Sequence, residues 1–376
     1  MIQLKHKRRQ GTYILWNLML VSIVFSIPYT LNLILGWSVS TDDVSEALTY
    51  PWLRWDSYHY LSIASAGYKA EVCGDALCGN TGWFPLYPFL VRLLHIASLG
   101  ATSITTSAII ISFFSFVALC WNISYLTLDR WAPPIVALLL LVMPGGIYLV
   151  SGFPISLLLC FVTLAYRAHE KGNTAASALY GLFSGLAYPS AIFFALGFWP
   201  LHFSQKVQGA FRRLFVSKLI ASASILTGLF VAMQVIDLSS GYSSAYALTQ
   251  SRYGHSFGFG FEVARSAVRY FWKNPIFSQT LLVLILLAVS TSILLSRRDS
   301  LRLSRLLGLY LPGVALYLFA LMAGDTVSIY RQEALLSPLF VLCVSLLPRK
   351  HLLLLLSPVV LVSFLMFQEF FKGVLV

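Results

Sequence analysis

The chain has 376 residues, of which 58% are hydrophobic and only 11% are charged, and its formal net charge is +12. Soluble domains have about 25% charged residues, so this composition excludes a soluble fold. It predicts an all-α polytopic membrane protein, with one integral-membrane domain over residues 1–376. The basic residues form no face interleaved with aromatics outside the membrane, so we expect membrane lipids and no nucleic acid as partners.

The positions of the basic residues predict the topology. They form short clusters between apolar runs, which the positive-inside rule places in the cytoplasm. With that placement nearly all acidic residues fall on the outer side, and about eleven helices cross the membrane. The clusters are Lys5/Lys7/Arg8/Arg9, Arg167/Lys171, Lys206/Arg212/Arg213/Lys218, Arg297/Arg298/Arg302/Arg305 and Arg349/Lys350.

The first predicted helix, 12–37, runs outward. Its apolar run is too long for a signal peptide, and no small-residue cleavage site follows it, so we expect it to be retained. A long outer segment, 38–103, follows, and helix 104–128 then returns inward. Phe84–Leu99 could be a span of its own, but its two prolines, Arg92 and His95 favour an outer helix that lies on or dips into the membrane.

The remaining elements are predicted in the same way. A second outer segment covers residues 239–275 and is rich in glycine and aromatics. Several of the predicted spans are short. The spans that follow helix 104–128 are 133–147, 154–167, 174–187, 190–203, 218–237, 276–296, 306–323, 333–347 and 352–371.

The cysteines give limited information. Cys73 and Cys78 lie in the first outer segment, where a local disulfide or two free thiols are favoured over a metal site, because no second Cys/His pair completes one. The other three, Cys120, Cys160 and Cys343, lie in apolar runs and are expected to pack in the core.

The strongest functional signal is an ionisable motif just after the first helix. Charged groups at a membrane face are costly and usually serve function. Asp56 lies between aromatic residues, so a simple interfacial anchor or an ion pair with Arg54 or Arg92 is the structural alternative. The motif reads Arg54-Trp55-Asp56-Ser57-Tyr58-His59-Tyr60, followed by Ile63-Ala64, Gly67-Tyr68 and Phe84-Pro85-Leu86-Tyr87-Pro88.

In order and spacing, residues 50–90 resemble the signature of the PIG-V-type mannosyltransferases. The resemblance implies a GT-C fold, a sugar donor linked to a lipid phosphate, and a catalytic carboxylate in the first outer loop, here Asp56. Two departures are notable. Relatives often carry Ser-Glu-Ser where this chain has Ser151-Gly152-Phe153-Pro154, and Thr-Arg-Pro where it has Ala187-Tyr188-Pro189. The missing charges leave the substrate, and activity itself, open.

The chemistry of inverting glycosyl transfer needs a base for the acceptor hydroxyl and a group that stabilises the leaving phosphate. Asp56 is the predicted base. Arg331 is the predicted phosphate ligand, because guanidinium binds phosphate oxygens in pairs; a pair with Glu333 or a snorkelling side chain is the alternative. The further substrate- or donor-binding candidates are Arg54, Trp55, His59, Tyr87, Tyr330, Arg252 and His255.

The sequence therefore predicts an inverting hexosyltransferase, most simply a mannosyltransferase, of a bacterial plasma membrane or an ER membrane. It would use a polyprenyl- or dolichyl-phosphate sugar and a lipid-linked or glycan acceptor on the extracytoplasmic or lumenal face. The alternative is a non-catalytic membrane protein, such as a transporter or a lipid-handling partner subunit. No cofactor is assigned. A divalent cation is left open, with Asp42, Asp43 and Asp75 sharing the outer segment but not named as ligands.

Overall fold

The fold is helical, with one small β-hairpin among the residues that the structure describes. It is a computed structural model. Residues 2–36, 52–127, 131–200, 211–252, 278–296, 300–322, 329–347 and 349–372 are described.

The elements follow one another in a simple order. In the first half they are α1 (Ile2–Leu35), α2 (Asp56–Ala66), β1 (Ala70–Cys73), β2 (Ala76–Gly79), α3 (Leu86–Ala97), α4 (Ile104–Leu126), α5 (Pro133–Val142), α6 (Ile147–Val150), α7 (Ile155–Glu170), α8 (Thr174–Ala187) and α9 (Ala191–Phe194). In the second half they are α10 (Phe211–Ser240), α11 (Ala245–Arg252), α12 (Ser278–Ser296), α13 (Ser300–Met322), α14 (Ile329–Ala334), α15 (Ser337–Leu346) and α16 (Arg349–Phe371).

Four of these helices are long and apolar enough to cross a membrane, namely parts of α1, α4, α10 and α13. Six shorter apolar helices of 10–17 residues accompany them in the described part of the chain. The protein is therefore an integral membrane protein, and the predicted fold class is confirmed.

The segment between α1 and α4 contains short elements only, within its described part. α3 has 12 residues and rises about 18 Å, which is too short for a bilayer core. Its buried side carries Tyr87 and Val91, while Phe89, Leu93 and Ile96 are exposed. An exposed apolar stripe on a short helix is typical of a helix lying at the membrane interface.

Three predicted spans are interrupted in the structure. The predicted helix 133–147 ends at Val142, because Pro144 lacks an N–H group and Gly145 has a φ of +71°. The predicted helix 333–347 is two helices, α14 and α15, and Pro338 occupies the first turn of the second. The predicted helix 190–203 has one turn of α-helix and then a 3₁₀ turn over Ala195–Phe198.

Gly145 matters for the position of α14. A Cβ atom at this residue would lie 2.6 Å from the carbonyl oxygen of Tyr330 and 2.7 Å from the backbone nitrogen of Ala334. The absence of a side chain therefore lets the loop before α6 contact the backbone of α14 directly. This contact fixes the short helix that carries Arg331.

Close packing of α8 on α10 also depends on glycine. A Cβ atom at Gly185 would lie 2.2 Å from the carbonyl oxygen of Ile225, and one at Gly228 would lie 2.1 Å from that of Leu182. Small residues let two membrane helices approach backbone to backbone, where van der Waals contact replaces the hydrophobic effect.

We expect Gly185→Leu to destabilise the protein by about 1–3 kcal/mol, because its side chain meets backbone that cannot rotate away. Ala175→Leu, at an exposed position of the same helix, is the matched control. Denaturation in mixed micelles would measure both. Equal stability of the two variants would contradict this account of the interface.

Candidate active site

Asp56 is the first residue of α2, and the residue before it has an unusual backbone conformation. Trp55 has φ 45° and ψ −107°, in the left-handed half of conformational space. A bulky residue with positive φ is a true outlier, and such strain persists only where surrounding contacts impose it. Strain of this kind concentrates at functional sites, and here it sets the direction from which Asp56 enters the helix.

A compact turn imposes this conformation. The backbone nitrogen of Ser57 donates to the carbonyl of Arg54 at 3.0 Å, and that of Tyr58 donates to the carbonyl of Trp55 at 3.0 Å. The Ser57 hydroxyl, fully buried, accepts from the backbone nitrogen of Arg54 at 3.3 Å. Hydrogen bonds between the residues before Asp56 and those after it therefore fix the backbone of Asp56.

Arg54 anchors this turn to the other end of the chain. Its Nε donates to the carbonyl of Phe370 at 3.3 Å, and its Nη2 donates to that of Phe371 at 2.7 Å. These are carbonyls of the last turn of α16, which have no partner within the helix. Arg54 was a predicted donor-binding residue, and the structure places its guanidinium on the helix terminus.

Arg331, from α14, forms an ion pair with Asp56. The two residues are 275 positions apart in the chain, and their side chains are 15% and 22% exposed, respectively. Burial lowers the pKa of Arg331 to about 10, which leaves the guanidinium charged at neutral pH. The partner of Asp56 is thus Arg331, where the sequence offered Arg54 or Arg92 as the structural alternatives.

His59 lies one turn beyond Asp56, on the same side of α2. Its ring stacks on that of Trp83 with a centroid distance of 3.6 Å and an interplanar angle of 12°. The Trp83 carbonyl accepts from the Tyr68 hydroxyl at 2.8 Å. Burial lowers the pKa of His59, so its imidazole is favoured in the neutral form.

Several buried tyrosines lie close to one another on α2, α6, α11 and α14. Tyr60 is close to Tyr188 and Tyr246, and Tyr148 is close to Tyr330 and Glu333. Tyr330 is 5% exposed, and burial raises the pKa of Tyr148 and Tyr60, so their hydroxyls stay protonated. Tyr60 shares α2 with Asp56, and Tyr330 directly precedes Arg331 in α14.

Tyr87 has a packing role. It is fully buried, and its hydroxyl donates to the carbonyl of Ala108 at 3.0 Å and lies 3.0 Å from the hydroxyl of Ser112. Both partners belong to α4. The predicted binding residue therefore holds α3 against α4 and has no exposed surface.

Residues 249–252 of α11 contact the segment between α1 and α4. The hydroxyls of Thr249 and Thr81 are 2.5 Å apart, and the Gln250 amide donates to the carbonyl of Gly82 at 3.0 Å. Arg252 donates to Sγ of Cys78 at 2.8 Å, and that sulfur is disulfide-bonded to Cys73. Arg252 thus lies at the hairpin, and the predicted site residue His255 lies outside the described residues.

The two departures from the family motif both border the site. The backbone nitrogen of Gly152 donates to the carbonyl of Trp52 at 3.0 Å, and a Cβ atom at Gly152 would lie 2.5 Å from the Leu53 side chain. A side chain at this position would meet the Leu53 side chain, next to the turn that carries Asp56, so Leu53 would have to change its side-chain conformation. Near the second departure, Ser190 donates to the Gln332 side chain at 2.9 Å, next to Arg331.

Sequence reasoning missed Trp83 and the Phe370–Phe371 carbonyls. Trp83 precedes the motif residues Phe84-Pro85, which was the available signal; nothing in the sequence of α16 indicated a contact with Arg54. Within the described part of the chain, no group of three or more His, Cys, Asp or Glu residues could hold a metal ion. Asp42 and Asp43 lie outside that part, and Asp75 is in the hairpin turn.

Comparison with solved structures decides the fold. The chain is similar to the oligosaccharyltransferase of Archaeoglobus fulgidus in complex with Zn and sulfate, with a TM-score of 0.52 and 14% identity over 94% of this chain. The chain has a GT-C fold. It spans 53% of the length of that oligosaccharyltransferase. No family model and no curated protein matches the sequence.

The lowered pKa of His59 predicts how stability depends on pH. The unfolded chain takes up a proton near the ordinary histidine pKa of about 6.5, whereas the folded protein resists it. The stability of the wild type should therefore fall as the pH drops below that value, and the stability of His59→Gln should fall less steeply over the same range. Thermal unfolding between about pH 7.5 and about pH 5 tests this, with Ser65→Ala, an exposed neighbour on α2, as the control. A His59→Gln slope equal to that of the wild type would contradict it.

Proposed function

We propose that the protein is a membrane glycosyltransferase that moves a hexose from a polyprenyl- or dolichyl-phosphate donor to a lipid-linked or glycan acceptor. The observation that carries this proposal is the partly buried pair of Asp56 and Arg331 beside the strained Trp55. A carboxylate and a guanidinium within contact distance match the two needs of the reaction, a base and a phosphate ligand. The GT-C fold, shared with an oligosaccharyltransferase, supports the same class of reaction.

In the proposed reaction Asp56 takes the proton from the acceptor hydroxyl. The hydroxyl oxygen attacks the anomeric carbon from the face opposite to the phosphate, so the configuration inverts. The bond between the anomeric carbon and the phosphate oxygen breaks, and its electron pair leaves with the polyprenyl phosphate. Arg331 stabilises that phosphate with paired N–H donors.

The ion pair gives this reaction a built-in order. While Arg331 binds Asp56, the guanidinium occupies a carboxylate oxygen that would otherwise be open to the acceptor hydroxyl. A donor phosphate competes for the same guanidinium, so its binding releases Asp56 toward the acceptor hydroxyl. The donor would therefore bind before proton transfer can occur, and the resting protein would hold a less active base.

Mannose as the sugar, and the relation to the PIG-V-type enzymes, are supported by the motif at residues 54–68 and 84–88. His59 and the tyrosines near Tyr60 would contact the sugars, since aromatic faces and hydroxyls suit a hexose ring. We place the reaction on the extracytoplasmic or lumenal side, because the basic clusters favour the opposite side for the helix ends that carry them. The catalytic role of Asp56 separates this proposal from a transporter or a non-catalytic partner subunit.

Replacing the base should abolish most of the activity. For Asp56→Asn we expect a loss of about 10²- to 10⁴-fold in transfer of labelled hexose from a polyprenyl-phosphate sugar, because the amide cannot accept the proton. Asp75→Asn, in the exposed hairpin turn, removes a carboxylate from the same outer segment and should leave transfer unchanged. Transfer by Asp56→Asn close to that of the wild type would assign the base elsewhere. Absence of transfer by the wild-type protein with every polyprenyl-phosphate hexose would favour the non-catalytic alternative.

If the donor phosphate displaces Asp56 from Arg331, loss of the Asp56 carboxylate should strengthen phosphate binding even though it abolishes transfer. Asp56→Asn should bind polyprenyl phosphate about tenfold more tightly than the wild type, since the phosphate no longer displaces a carboxylate; tenfold corresponds to about 1.4 kcal/mol. Arg331→Lys should bind it more weakly, because lysine lacks the two-pronged geometry. Equilibrium binding of polyprenyl phosphate in detergent measures the affinities of the wild type, Asp56→Asn and Arg331→Lys, with Arg92→Lys as the control. Weaker binding by Asp56→Asn would show that the carboxylate holds Arg331 in place for the phosphate. That result would refute the displacement of Asp56 from Arg331 by the donor phosphate.

A further inference from the structure

A second concentration of charge lies on helices α4, α7 and α13. The side chains of Arg167, Lys171 and Arg305 all approach the ring of Tyr125, at 4.5, 5.5 and 5.1 Å from its centroid. Tyr125 lies in the last turn of α4, Arg167 lies in the last turn of α7, Lys171 directly follows α7, and Arg305 is in the first turns of α13. These helix ends are the ones that the basic clusters place in the cytoplasm, whereas Asp56 precedes the other end of α4.

One of the three cations, Arg305, donates hydrogen bonds to the protein from all three of its guanidinium nitrogens. Arg305 is 6% exposed, and its Nε and Nη2 donate to the two carboxylate oxygens of Glu170 at 2.8 and 2.9 Å. Its Nη1 donates to the carbonyls of Tyr125 and Leu126, each at 3.1 Å. Arg305 therefore joins three helices, and it takes up both oxygens of Glu170.

The other two cations have few protein contacts. Arg167 donates to the Asn122 side-chain oxygen at 3.3 Å, and Lys171 has its contact with the Tyr125 ring. Within the part of the chain that the structure describes, neither forms a salt bridge with a carboxylate. They are four residues apart on one helix, where two like charges repel each other. Lys171 is exposed and Arg167 is half-buried, so an anion from outside could reach both.

We propose that Arg167 and Lys171 form a binding site for the phosphate of an anionic phospholipid headgroup. The guanidinium would bind two phosphate oxygens, and the ammonium would bind a third as a compact charge. The phosphate would relieve the repulsion between the two cations, and the lipid's net negative charge would complement the excess of cations over carboxylates around Tyr125. The position at the ends of three helices fits the depth of the headgroups.

The test compares lipids with the purified protein in detergent. A ligand that binds the folded state raises the thermal unfolding midpoint, and the stabilisation grows with the logarithm of the ligand concentration relative to its Kd. We expect short-chain phosphatidylglycerol to raise the midpoint more than phosphatidylcholine of the same chain length. In Arg167→Gln/Lys171→Gln the affinity for phosphatidylglycerol should fall about a hundredfold, since both cations are lost and each contributes about one order of magnitude.

Two controls make the outcome decisive. Lys69→Gln/Arg92→Gln removes two exposed cations from the first outer segment and should respond to phosphatidylglycerol like the wild type. Arg167→Lys retains the charge but lacks the paired N–H donors of the guanidinium. Its affinity for phosphatidylglycerol should lie between those of the wild type and the double variant, and it remains informative if the double variant unfolds. An equal response to inorganic phosphate would assign the site to the free ion and overturn the lipid. A response to phosphatidylglycerol that is unchanged in the Arg167 and Lys171 variants would overturn the site.

Discussion

The arrangement of the site depends on the ion pair between Asp56 and Arg331. It joins the first residue of α2 to the short helix α14, across 275 positions of the chain. A partly buried ion pair gains little stability, because desolvation of both charges offsets most of their attraction. The pair lies next to the strained Trp55, and backbone strain of this kind concentrates at functional sites.

The contacts around the pair resist movement of either partner. Arg54 ties the turn before Asp56 to the carbonyls that end α16, and Gly152 ties it to the loop before α7. On the other side, Gly145 lets the loop before α6 pack against the backbone of α14. Both charged side chains are thus carried by rigid backbone, which is how a site maintains reacting groups at a fixed distance.

Helix α11 packs against the segment between α1 and α4. The hairpin closed by Cys73 and Cys78 contacts α11 through Arg252, and Thr81 contacts Thr249. Tyr246 of α11 packs edge-on against Phe84 and lies near Tyr60. Residues 78–84 and 246–252, more than 150 positions apart in the chain, therefore pack against each other, and the Arg252 side chain contacts the hairpin.

The sequence by itself determined the membrane class and the boundaries of helices such as 174–187, and it identified the segment around Asp56 as the candidate site. These follow from local properties, namely apolar length, the spacing of basic clusters and a motif contiguous in the chain. Only the tertiary structure decided that Arg331 is the partner of Asp56, that Arg54 binds a helix terminus, and that Tyr87 is buried. The interruptions of 133–147 and 333–347 also depended on contacts between distant segments, since Gly145 and α14 fit together only when both are folded. Pairing between remote residues is set by packing geometry, and a single sequence carries no local signal for it.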